Sequence, residues 1–350
     1  MSAPDGAAGR TEETADGPAP ADPAGPAADP RPDRPAAPAE PPAPAGQPAP
    51  AAPAASRRAL LWQRRRRAFT EFRREYARNR AGLFGFGALV LFVAVAVSAP
   101  LFIDPADLTV TGAQGGRFEP PSAAYPLGTD AFGRSVLDLV VWGARISLTV
   151  GFLATFVSVA LGTLVGIIAG HFGGWASNVL MRVTDWFVVL PTLVMAVALA
   201  AVMSRSTFTI IIAIGVTVWP TTARLVRAQT IAVEARPYIE RARALGGGHA
   251  HVMSRHVLPN VMPVVLAQTT LIVGESIILE STLAFLGLGD PSTVSWGGIL
   301  QDARTAGAVS SGIWWYMLPP GVAIAVVALA FTLCGRALEG VFNPRLRERR

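Results

Sequence analysis

The apolar residues of this chain gather in long runs rather than in the short alternations of a soluble fold. A helix needs about 20 mostly apolar residues to cross the hydrocarbon layer of a bilayer. Six runs meet that length, at 83–103, 146–170, 179–203, 208–226, 260–286 and 314–338, with Pro or acidic residues interrupting the last two. The pattern predicts an all-α, polytopic membrane protein with six transmembrane helices. Pro191 and Pro220 fall inside the third and fourth runs, where proline kinks a helix. Gly162, Gly166 and Gly170 recur every fourth residue and offer a helix face that a second helix can approach closely, a packing device rather than a nucleotide site.

The polar positions around these runs carry expectations of their own. Arg182 and Asp185, three residues apart, predict an ion pair within one helix. Gly128, Gly133 and Gly143 mark a turn-rich segment leading into the second run, across which Asp130 and Arg134 are placed to pair. Residues 285–289 end the fifth run in a glycine-rich turn, and Trp296 beyond it suits an interfacial anchor.

Composition sharpens the class. Of 350 residues 51% are hydrophobic and 15% charged, and the mean hydropathy of +0.41 is too high for a soluble domain. Residues 1–56 depart from this, holding 15 of the 29 prolines among Ala, Gly and acids, so they predict a disordered tail with no core to bury. A basic juxtamembrane segment follows at 57–80, then a six-helix domain over 81–350. Residues 57–80 carry ten Arg against two acids, and six more Arg lie in 224–256. Positive charge stays on the cytoplasmic side, which puts the N-terminus inside. Six spans return the C-terminus there, in agreement with Arg345, Arg347, Arg349 and Arg350. The first run lies behind the tail and the basic block, so it does not read as a cleaved signal, and the basic block reads as a positive-inside anchor touching anionic headgroups. Arginines that track one membrane face, with no aromatic platform, do not indicate nucleic acid.

All 30 basic residues are Arg, with no Lys. A phosphate-binding loop of the G-x-x-x-x-G-K-[ST] type and Schiff-base or Ser-Lys catalysis are thereby excluded. Cys334, the one cysteine, reads as a small buried hydrophobe. His249, His251 and His256 lack metal-ligand spacing and a nearby Cys, so docking-surface polarity is the better reading, and His171 stands isolated at a loop edge.

One charged stretch lies between apolar runs, YIERARALGGGHAHVMSRHVLP at 238–259. Pro237 suits a first helical position, and Ile239, Ala242 and Leu245 then follow at helical spacing. Gly246, Gly247 and Gly248 end that helix. A second short helix, from about His249 to Val257, stops before Pro259, which opens the fifth span. A helix-turn-helix with so narrow an apolar edge needs a partner surface.

This stretch resembles the coupling motif of ATP-binding-cassette importer permeases, written E-A-A, three residues, G, nine residues, I-x-L-P. Glu240, Ala242, Gly246, Leu258 and Pro259 match it, while Arg241 replaces the middle Ala and His256 the Ile. PLGTDAFGRSVLDLVVWGARISLTVG at 126–151 and LESTLAFLGLGDPSTVSWGGIL at 279–300 resemble segments of the C-type permeases of the dipeptide, oligopeptide and nickel transporter group. The resemblance covers roughly 81–350. It implies a type I importer permease fold with a cytoplasmic coupling loop at about 227–259, in which Glu240, Arg241, Ala242, Leu245, Gly246, His256, Leu258 and Pro259 dock on an ATPase. It further implies an inner-membrane subunit without catalytic residues, metal or bound cofactor. ATP and Mg would be used by two partner ATPase subunits, beside a second homologous permease and an extracytoplasmic substrate-binding protein. Peptides are the implied cargo, with nickel chelates or glutathione-like molecules as alternatives.

A carboxylate at membrane depth is costly and marks function. Glu280 falls where the family carries an acid and suits a structural or gate-linked hydrogen bond. Glu275 matches no motif position and is placed to line the pathway. It is also the residue a proton-coupled secondary transporter would use, although such carriers often show inverted repeats and no internal repeat is evident. A non-transporting membrane scaffold is the third class that the helix-turn-helix alone permits.

Overall fold

The computed structural model describes residues 66, 70 and 73–342. The expected tail at 1–56, most of the basic block and Arg345, Arg347, Arg349 and Arg350 lie outside them. Among the described residues the secondary structure is helical, apart from one isolated antiparallel bridge between Thr129 and Ser135. The long helices are α1 (Arg80–Phe102), α2 (Val136–Phe172), the pair α3 (Gly174–Val189) and α4 (Thr192–Val202), and α5 (Thr207–Glu234). After α5 come the short α6 (Pro237–Ala244) and α7 (His249–Val252), a π-helical turn (Met253–Val257), α8 (Leu258–Phe285), α9 (Trp296–Thr305) and α10 (Trp314–Phe342). Local chemistry sets several starts. Asn79, Ser135, Ser206 and Ser295 each accept a backbone N–H with the side chain at the first turn of α1, α2, α5 and α9, an N-cap worth about 1 kcal/mol.

Among the described residues, five stretches are long and apolar enough to cross a membrane: Arg80–Phe102, Val136–Phe172, Thr207–Glu234, His249–Phe285 and Trp314–Val341. The α3–α4 pair makes a sixth when counted as one span. That expected span is not one helix. Leu190 takes an extended conformation (φ −81°, ψ 133°), as a residue before proline prefers, Pro191 follows with ψ 124°, and the pair bends by 90°. Pro220 has no such effect, and α5 continues through it. The second span also differs from its sequence reading, because α2 begins at Val136 and carries Asp138 and Arg145 within 37 helical residues. At 1.5 Å per residue it measures about 55 Å, well beyond a hydrocarbon layer of about 30 Å. Gly143, read as part of a turn, lies inside this helix.

The α2–α5 contact is the most extensive in the bundle. A Cβ on Gly162 would fall 2.6 Å from the Trp219 carbonyl oxygen, one on Gly166 2.7 Å from that of Ala223, and one on Gly170 2.6 Å from Thr230 Cβ. The glycine face therefore lies directly on α5. Glycines also let α10 close on its neighbours: Gly85 of α1 sits against the Ala330 carbonyl and Gly335 against Leu271 of α8. The flank of α1 is left apolar and open, with Val97, Leu101 and Phe102 largely exposed, as suits a face turned to lipid.

Among the described residues, three apolar clusters run along the bundle. One, around Leu139, Trp296, Ile299 and Tyr316, lies where α2 begins. A second joins α2, α4, α5 and α8 through Ala154, Ala196, Ile214 and Ile272. The third gathers Ile167, Val226, Val233, Ile239, Val252, Val257 and Val261 at the far end of α2.

Candidate functional site

Two polar regions stand at opposite ends of α2. At its start, residues 103–135 fold as a looped segment braced by Asp130. This fully buried carboxylate accepts the backbone N–H groups of Phe132 and Arg134 at 2.8 Å and pairs with Arg134 Nε at 2.6 Å. Burial opposes the Arg134 charge, but the Asp130 carboxylate beside it holds the guanidinium above its ordinary value. Arg134 also reaches Asp302 of α9 at 3.4 Å. Burial pushes the Asp302 carboxyl up, against the pull of Arg134. Trp296 is not an interfacial anchor. It is fully buried, seated against Gly143, and its indole Nε1–H donates to the Val140 carbonyl at 2.8 Å.

Glu280 belongs to this braced end. It is buried, and Ser281 Oγ donates to its Oε2 at 3.1 Å. The hydroxyls of Ser295 and Ser147 lie beside it, and their oxygens accept the backbone N–H groups of Gly298 and Trp296. One carboxylate thereby knots α8, α2 and the first turn of α9, through serines that carry no signal in a sequence read residue by residue. Glu275 does not join it. Five residues earlier on α8, it faces outward on the side of the exposed Ile278.

At the other end of α2 the stretch 237–258 forms the hairpin. Pro237 is the first residue of α6, and the chain leaves that helix through Gly246 at φ +86°, a left-handed conformation that strains any residue with a Cβ. The second limb does not stop before Pro259. The helical backbone passes from α7 through the π turn directly into α8, with Leu258 N–H bonded to the Met253 carbonyl five residues back. Proline has no N–H to contribute, and the wider π register carries the helix past it. The apolar edge of α6 also divides. Ile239 is fully buried in the third cluster, a contribution of about 1.5–3 kcal/mol, whereas Leu245 at the end of the helix is 89% exposed.

The two limbs enclose an open groove of about 600 Å³ lined by Tyr238, Arg241, Leu245, Gly247, His251 and His256. Arg241 and His256, far apart in sequence, thus face one space. Ala242 also lines it, Glu240 lies exposed on α6, and Leu258 and Pro259 begin α8. Behind the groove stands a polar cluster that the sequence reading missed. His171 is not isolated: its Nδ1 lies 2.5 Å from Glu234 Oε1 and its Nε2 2.9 Å from His249 Nδ1. Asp185 pairs with Arg224 of α5 at 2.6 Å in place of the expected partner Arg182. Among the described residues, no three His, Cys, Asp or Glu side chains are grouped to hold a metal ion.

Comparison with known proteins gives the family. A family model described as a binding-protein-dependent transport system inner membrane component matches residues 162–348. A putative peptide transport system permease protein of Brucella abortus is 34% identical over 275 residues, covering 78% of this chain and 91% of the relative. The dipeptide transport system permease protein DppC of Alkalihalophilus pseudofirmus is 31% identical over 78% of this chain and 89% of its own length. The glutathione transport system permease protein GsiD of Pectobacterium atrosepticum is 32% identical over 81% and 91%. The chain is therefore a multi-pass inner-membrane protein that belongs to the family of binding-protein-dependent transport system inner membrane components, as an ABC importer permease of the dipeptide and oligopeptide group.

Proposed function

We propose that this chain is one permease half of an ATP-driven importer of di- or oligopeptides, and that the hairpin at 237–258 is the element through which ATPase motion enters the membrane. The observation that carries the reading is the hairpin itself. It joins a buried Ile239 on the bundle side to an exposed Leu245 and a groove carrying Arg241 and His256 on the free side. A surface of that kind is fixed to its own bundle and left open for another protein. The complex comprises this chain, a second homologous permease, two ATPase subunits that bind ATP and Mg, and a substrate-binding protein on the far side. The hairpin end and both termini face the cytoplasm.

ATP-driven closure of the ATPase dimer presses on the hairpin and shifts the population between inward-open and outward-open states. The chain itself makes and breaks no covalent bond. Glu280 holds the braced end in register, and Glu275, bare on its helix face, lines the path. A glutathione-type cargo is the second reading, favoured by the similarity to the glutathione permease.

The test is Gly246→Trp in the reconstituted transporter. A side chain at φ +86° is strained, and it would stand in open space where the partner docks. ATP-dependent dipeptide uptake is expected to fall by an order of magnitude or more, with uptake in the native complex insensitive to a protonophore. Undiminished uptake in the variant, or collapse of native uptake with the proton gradient, overturns the reading.

A further inference from the structure

The hairpin is joined to the membrane bundle by a continuous chain of polar contacts. Arg243, on the first limb, donates to Glu234 Oε2 at 2.5 Å. The other oxygen of Glu234, the last residue of α5, is 2.5 Å from Nδ1 of His171, in the last turn of α2. The remaining ring nitrogen of His171 meets Nδ1 of His249, the first residue of the second limb, at 2.9 Å. Each inner group uses both of its bonding faces. With His171 Nδ1–H donating to the carboxylate, its Nε2 accepts from His249 Nδ1–H, a tautomer assignment that satisfies both contacts. Phe172 closes the side of the cluster, its ring centroid 4.9 Å from that of His171 and 5.3 Å from that of His249.

Burial grades along this chain. The His171 side chain is fully buried and Glu234 nearly so, whereas Arg243 is 45% exposed. The contacts therefore run from one limb of the hairpin, through the ends of both tightly packed helices, to the other limb. They span the glycine turn without involving it. Below them α2 and α5 pack along the glycine face, which lets little slip between the two helices.

We propose that Arg243, Glu234, His171 and His249 form a latch that makes the hairpin move as one body with α2 and α5. These four are positioning residues of the transport cycle. The proposal rests on the hairpin being the point where ATPase motion enters. Without the latch, the partner still grips and displaces the hairpin, but the displacement is taken up at the glycine turn and in the apolar seat beneath it, and the far end of α2 does not respond.

The test is hydrogen–deuterium exchange on the whole transporter complex, with and without ATP and vanadate. In the native complex, trapping is expected to change exchange both in the hairpin at 237–258 and at the far end, over 103–135 and α9. Arg243→Ala and His249→Ala remove only the exposed ends of the latch and leave the core intact, while His171→Leu removes its middle. Each is expected to retain the hairpin response and to lose about fivefold or more of the far-end response, the lower range of measured coupling between sites. His171→Gln keeps a donor for Glu234 and an acceptor for His249, and is expected to restore most of it. A merely structural role would not show this rescue together with an unaltered hairpin response. Full far-end response in the Arg243 and His249 variants overturns the latch alone. A hairpin that stays silent to trapping in the native complex overturns the coupling reading itself, and the latch with it.

Discussion

The two ends of α2 solve opposite problems with similar residues. Where the helix begins, an acid and an arginine are buried together: Asp130 is fully covered and Arg134 11% exposed, and backbone N–H groups fill the remaining carboxylate positions. Where it ends, the acid Glu234 is nearly covered but its arginine lies half in the open, on a hairpin whose tip is glycine and exposed leucine. The first arrangement fixes a shape. The second holds the hairpin, which under the proposed coupling is the moving part, against the bundle while leaving its outer face free. The two ion pairs differ in how much water reaches the cationic partner and in how many backbone groups share the load.

The sharpest way to break the comparison is Asp130→Ala. Removing one member of a buried pair leaves an uncompensated charge and typically costs 3–5 kcal/mol, and here it also strips two backbone donors of their acceptor. Thermal unfolding in detergent is expected to show a large loss of stability, with protease sites opening in 103–135. If the contrast is real, this variant fails by unfolding and not by uncoupling. Wild-type stability in Asp130→Ala contradicts the bracing role.

The converse substitution is Leu245→Ser at the hairpin tip. Leu245 is the exposed C-cap of α6, but the cap is made by its backbone N–H to the Arg241 and Arg243 carbonyls, which Ser retains. Such a surface change alters stability by no more than about 0.5 kcal/mol, so the melting temperature is expected to stay put. Recovery of the ATPase subunits on the purified permease is expected to weaken by roughly tenfold, the equivalent of about 1.4 kcal/mol. A lowered melting temperature with intact ATPase recovery reverses the assignment of the two ends.

How much of this was legible in the sequence depends on the distance over which each signal acts. Apolar runs of bilayer length declare the spans directly, and Pro237 and the three glycines declare the hairpin, because both signals are local. The Asp130–Arg134 pair is legible for the same reason, four residues apart on one turn. Helix ends were harder: the run at 146–170 and the turn read through Gly143 missed the start of α2 at Val136, since a helix can continue beyond the hydrocarbon that its composition reports. The Pro191 break was signalled, but its 90° bend was not, because it is set by two consecutive extended residues. The cluster behind the hairpin was invisible. Its contacts join residues 9, 63 and 78 apart, and no periodicity links such positions. The Arg182–Asp185 expectation failed for the related reason that a partner on another helix, Arg224, captures the carboxylate.

The smallest effect concerns the turn that joins α8 to α9 at the braced end. Asp290 accepts Ser292 N–H at 2.9 Å with one oxygen, and with the other accepts the N–H and hydroxyl of Thr207, the first residue of α5, at 3.2 and 3.1 Å. Burial raises its pKa, but the bonds from Ser292 and Thr207 outweigh that and hold the carboxyl below the ordinary aspartate value of about 3.9. The sign follows from linkage. A depressed folded pKa contributes stability that is present in full above the unfolded value and is lost as pH falls through the folded value. Protection of amides at the start of α5 and in 286–295 is therefore expected to hold from neutral pH down to about pH 4 and to weaken below it. Asp290→Asn, which keeps an acceptor but not the charge, is expected to lower protection slightly at neutral pH and to remove this acid step. Should the step persist in Asp290→Asn, the turn is held by something other than this carboxylate, and the braced end owes its order to Asp130 and Glu280 alone.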